Sequence, residues 1–144
     1  MKSPDPATNL SQRIKKRILF IDDEGVFTRL LPLIFNRPEY DVCAVNDTIK
    51  TLETVRQFKP DMIFLCIDIP LMDGPKVTAL VKEIPVVQKI KEDRVLRKIP
   101  IALLTEYIVP TELPIRTGPS EFAILYKSEG VERIVQCIRE HLGP

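Results

Sequence analysis

The chain is poor in histidine, cysteine and glycine, and each shortage removes a class of chemistry. His141 is the single histidine and stands near the C-terminus. With no Gly-x-Ser-x-Gly in the sequence, a Ser/His/Asp hydrolase has no basis. The three cysteines, Cys43, Cys66 and Cys137, are odd in number and show no paired spacing. That argues against a disulfide framework, and without Cys-x-x-Cys it argues against a zinc site as well. Charge of one sign is also missing. A net +1 gives no electrostatic reason to expect nucleic acid or an anionic membrane as partner. The apolar runs are strand-sized, too short to cross a bilayer. The N-terminus shows no charged-apolar-small pattern of a secretory signal, so a cytoplasmic location is expected. Glycine is outnumbered by proline, five to thirteen, and three of the prolines crowd into residues 110–119.

What remains is ordinary globular material. A length of 144 residues suggests one domain, and 44% hydrophobic with 28% charged residues is enough to build a core. Residues 1–16 are polar, proline-containing and aperiodic, and read as a flexible tail ahead of a single domain at 17–144. From Arg17 onward, short apolar runs alternate with helical spacing. Strands are expected at 17–21, 41–45, 62–66, 99–104 and 121–126. Helices are expected at 25–36 (disturbed by Pro32), 48–58, 76–84, 86–98 after the interruption at Pro85, and 131–142, with Gly143 as its cap. Near-continuous apolar strands alternating with helices imply a parallel sheet covered on both faces. In such sheets the crevice lies at the carboxyl ends of the strands. Those ends carry Asp22 and Asp23, then Cys66, Thr105, and Tyr126 with Lys127.

The run Lys59-Pro60-Asp61-Met62-Ile63-Phe64-Leu65-Cys66-Ile67-Asp68-Ile69-Pro70-Leu71-Met72-Asp73-Gly74 resembles the third strand and following loop of a response-regulator receiver domain, the chemotaxis-regulator-like module of two-component signalling. The resemblance spans roughly Lys16 to Leu142. It implies a flavodoxin-like, doubly wound α/β fold with five parallel strands in the order 2-1-3-4-5. It further implies an acidic pocket of Asp22 and Asp23 that holds Mg2+ with the backbone carbonyl of Asp68. Thr105 resembles the hydroxyl that bonds the phosphoryl group, and Lys127 the lysine that pairs with the phosphoaspartate. Counted back from Pro70, the phospho-acceptor position is Cys66.

The sequence departs from the family at several points. A thiol at 66 forms no acyl phosphate and is a poor ligand for a hard cation. Glu106 puts a bulky anion where a small residue is usual. Ser128 stands where a proline is usual, and Ile124 where the aromatic switch residue is usual. The stretch at roughly 84–98 is longer than the family's. Three prolines in 109–119 forbid a regular fourth helix, since each interior proline costs about 3 kcal/mol. The face formed by helix 4, strand 5 and helix 5 is therefore expected to be altered, and a homodimer through it is allowed.

Each of these residues also has a plainer reading. Asp22 and Asp23 can cap a helix. Cys66, Cys43 and Cys137 can be inert core side chains. Lys127 can form a standing salt bridge with Asp22 or Asp23, and a charged stretch at 82–98 can be merely solvated. The leading expectation is a phosphorylation-independent pseudo-receiver, not an enzyme. It would need no cofactor, with weak Mg2+ binding allowed, and would act on a histidine kinase or an effector protein. Two alternatives stand beside it: a receiver that accepts phosphate on Asp68 or another carboxylate, and a thiol-based redox sensor using Cys66. A flavin or nucleotide site is disfavoured, because Asp-Asp-Glu-Gly replaces a glycine-rich phosphate loop after the first strand.

Overall fold

Five apolar strands, each too short to stand alone, solve their burial problem by lying side by side. A computed structural model describes residues 15–22, 31, 35–46, 48–67, 74–105 and 121–144. Within them, β1 (Lys16–Asp22), β2 (Tyr40–Val45), β3 (Met62–Cys66), β4 (Ile101–Thr105) and β5 (Ala123–Tyr126) form one sheet in the order β2-β1-β3-β4-β5. Every neighbouring pair is parallel. The connecting helices are α1 (Thr48–Phe58), α2 (Gly74–Lys82), α3 (Pro85–Glu92) and α4 (Val131–Leu142). This is the doubly wound, flavodoxin-like arrangement that the alternation of strands and helices predicts.

Strand alternation divides the core in two. Ile18, Phe20, Met62, Phe64, Ala102, Leu104 and Leu125 face one side, packed with Leu31, Phe35 and the α4 residues Ile134, Val135 and Ile138. Leu19, Ile21, Ile63, Leu65 and Leu103 face the other, packed with Val55 of α1, Val77 and Val81 of α2, and Val87 and Ile90 of α3. β1, β3 and β4 are sealed on both faces, which is why their sequences read as unbroken apolar runs.

Several boundaries shift from the expected ones, each for a local reason. β1 begins at Lys16, the last residue of the expected tail. Its Nζ donates to the Pro144 carbonyl at 3.1 Å and also to that of Gly143. The helix expected at 76–84 runs over Gly74–Lys82. The stretch expected as a helix to Lys98 stops at Glu92, where Asp93 turns its carboxylate onto the backbone N–H groups of Val95 (2.8 Å) and Leu96 (3.0 Å). A 3-10 turn, η1 (Leu96–Lys98), follows, so β4 starts at Ile101 rather than Ile99. β5 starts at Ala123 because Glu121 is occupied elsewhere. Its carboxylate meets Lys82 Nζ at 2.7 Å and Lys91 Nζ at 3.7 Å, and its N–H donates to Thr78 Oγ1 at 3.0 Å. The expected helix at 25–36, apart from Leu31 and Phe35, and the degenerate fourth-helix segment 109–119 lie outside the described residues.

Candidate functional site

The strand register brings the sequence-predicted residues to one rim. Asp22 ends β1 and lies directly across from Cys66, which ends β3. Cys66 in turn lies level with Leu104 of β4, so Thr105, the last residue of that strand, is one step further out. Thr105 pairs with Tyr126 of β5, and Lys127 follows immediately. Neighbouring strands are about 4.8 Å apart and residues rise about 3.3 Å, which sets the Cα atoms of Cys66 and Thr105 roughly 6 Å apart. Asp22, Cys66, Thr105 and Lys127 therefore share the carboxyl edge of the sheet. Asp23, Asp68 and Glu106 lie outside the described residues, as does the Met72-Asp73 pair.

These groups differ in their surroundings. Asp22 (2% exposed) and Thr105 (0%) are the buried polar ends of apolar strands. Cys66 (5% exposed) belongs to the same packed cluster as Phe64, Leu104 and Leu125. A carboxylate taken this far from water needs partners, since an isolated buried charge is costly. Lys127 is half-buried, at the start of the 3-10 turn η2 (Lys127–Glu129).

The backbone after β5 shows something the sequence reading missed. The peptide bond between Lys127 and Ser128 is trans. The turn is instead shaped by Glu129, whose Oε1 accepts from the Tyr126 N–H at 2.9 Å, and by Gly130 at φ 86°. Glu129 three residues after Tyr126, with Gly130 behind it, is the signal from which this turn could have been read.

The receiver-domain family profile matches residues 18–138. The chain belongs to the response regulator receiver domain family. Among curated relatives it is similar to the polar-differentiation response regulator DivK of Brucella anthropi, at 26% identity over 129 residues, covering 89% of this chain and 97% of that protein. Among solved structures it resembles a response regulator from Desulfuromonas acetoxidans (TM-score 0.60, 12% identity, 87% of this chain and 94% of that one). It also resembles the BeF3-activated receiver domain of Klebsiella pneumoniae RstA (TM-score 0.58, 18% identity, 90% and 100%). These structural likenesses speak for the fold. Membership places the receiver domain in two-component signalling, where such domains work by contact with kinases and effectors. No described helix is long and apolar enough to cross a membrane.

Proposed function

We propose that this receiver domain signals without phosphorylation, as a protein-interaction module whose acceptor seat is filled by Cys66. The observation that carries the reading is the pairing of Cys66 with Asp22 at the end of the central strand. That is the place from which a receiver's acceptor faces its acidic pocket. A sulfur there offers no oxygen on which to carry a phosphoryl group. It also alters the donor set for Mg2+: among the described residues at the rim, Asp22 offers hard oxygen and Cys66 only a soft thiol, a poor fit for that ion. Asp22, Thr105 and Lys127 then serve as a fixed polar rim, with Lys127 balancing the acidic side. The domain needs no cofactor and is not an enzyme; its output passes through a partner such as a histidine kinase or an effector.

The test is intact-mass measurement after incubation with acetyl phosphate and Mg2+. The wild-type chain is expected to gain no phosphoryl group, and Cys66→Asp to gain one. A phosphoryl group on any carboxylate of the wild type, Asp68 included, overturns the reading in favour of a working phospho-acceptor. The thiol-sensor alternative draws no support from the 5% exposure of Cys66, since a sensing thiol has to meet its oxidant.

A further inference from the structure

At the end of the sheet opposite the Asp22–Cys66 rim lies a groove of about 490 Å3. One wall is the end of α1 and the residues after it, Arg56, Lys59 and Pro60; the other is Val95, Leu96 and Ile99, which follow α3. Pro60 and Leu96 are buried and Ile99 is half-buried, so the floor is apolar. Val95 stands at the lip, 74% exposed. Among the described residues only Leu80 (40%) is another large apolar side chain so open to water.

The lining carries two cations, Arg56 and Lys59, against one acid, and the segment that forms its second wall is rich in basic residues. Residues 89–98 hold Lys89, Lys91, Arg94, Arg97 and Lys98 against Glu92 and Asp93, in a chain whose net charge is only +1. Asp93, the one acid in the lining among the described residues, is already engaged. Oδ1 takes the Val95 and Leu96 amides, and Oδ2 faces Arg56 Nη2 at 3.9 Å. Lys91 is turned away to Glu121. Among the described residues, Lys59, Arg94, Arg97 and Lys98 form no ion pair.

A lone exposed valine is ordinary, and so is a solvated cation. An apolar floor, an exposed aliphatic lip, the lining cations Arg56 and Lys59, and Arg94, Arg97 and Lys98 next in sequence to Val95, Leu96 and Ile99 form the negative of a definite shape. We propose that the groove docks a short acidic segment of a partner protein that also carries aliphatic side chains. Its aliphatic groups cover Val95, Leu96 and Ile99. Its carboxylates meet Arg56 and Lys59, with Arg94, Arg97 and Lys98 steering the approach. A nucleic acid would use the cations and leave the apolar floor bare; a basic segment would be repelled. Docking here uses neither Cys66 nor a phosphoryl group. The groove begins at Pro60, about 20 Å along the strand direction from Cys66 by strand rise.

The experiment is a titration of the 15N- and methyl-labelled full chain with three capped hexapeptides: alternating Asp/Glu with Leu, alternating Asp/Glu with Ser, and alternating Lys with Leu. The acidic leucine peptide is expected to shift the resonances of Lys59, Val95, Leu96 and Ile99 saturably. The other two are expected to bind at least about tenfold more weakly, and all binding to weaken as salt shortens the screening length to about 3 Å at 1 M. Val95→Asp and the paired substitution Arg97→Glu with Lys98→Glu should each weaken binding about tenfold while leaving the amide spectrum of the core unchanged. Absence of shifts at these residues, shifts centred elsewhere, or equal binding of the serine peptide would overturn the proposal, the last by revealing a plain polyanion site.

Discussion

Cys137 shows what burial does to a single titratable side chain. It is wholly inaccessible, in the cluster formed by α4 and the sheet. Burial pushes its thiol pKa up from 9.0 to about 11, with Arg133 pulling the other way and Glu140 adding to the rise. Burial, helped by Asp41, raises Cys43 as well. The folded chain thus holds the Cys137 proton to higher pH than the unfolded chain does. Its contribution to stability is complete below about pH 9 and is lost as the pH rises through about 11. Cys137→Ala should lower stability at neutral pH by leaving a small cavity, yet flatten the fall of the urea midpoint across that alkaline window. If wild type and variant lose stability in parallel over the window, the thiol is not what titrates there.

Among the described elements, the passage from β5 to α4 is fixed by its backbone. Gly130 sits at φ 86°, ψ 179°, a conformation nearly closed to residues with a Cβ. A Cβ there would meet nothing within 4 Å, so the difficulty is backbone strain alone. Gly130→Ala is expected to cost about 1–3 kcal/mol in urea unfolding. A variant as stable as wild type would mean that the turn relaxes. Elements sealed by simple packing were legible in the sequence: β3 at 62–66, α1 at 48–58 and α4 at 131–142 fall where apolar spacing put them. Those set by one polar side chain were not. Asp93 breaks the helix that Lys, Arg and Glu composition favoured, Glu121 takes residues away from β5, and Glu129 shapes the turn after Tyr126. Periodicity cannot see such contacts, because each depends on one hydrogen bond rather than on a repeating face. The candidate rim was legible as a set of strand ends, and the register then supplied which ends are neighbours.

For the whole molecule, the two core layers share the same strands, so neither can dissolve alone. Phe20 stacks on Phe64 with ring centroids 5.1 Å apart and meets Phe35 edge-on at 5.8 Å. Its neighbours Leu19 and Ile21 lie in the opposite layer. Phe20→Ala should therefore cost about 3–5 kcal/mol. Loss should still occur as a single transition, seen alike by far-ultraviolet circular dichroism and by methyl resonances of Val55 and Val135 on opposite faces. Separate midpoints for those two methyls would show that the layers come apart independently. The sheet's margins carry a further consequence. β5 offers only four residues of ladder, and its chain turns away at once into η2, so it makes a poor template for a second molecule. The longer margin is β2, whose six residues carry the exposed carboxylate of Asp41, 4.0 Å from Arg17 Nε on β1. Fibrillar self-association, where it occurs, would start from that margin, with Asp41 the gatekeeper holding it in check.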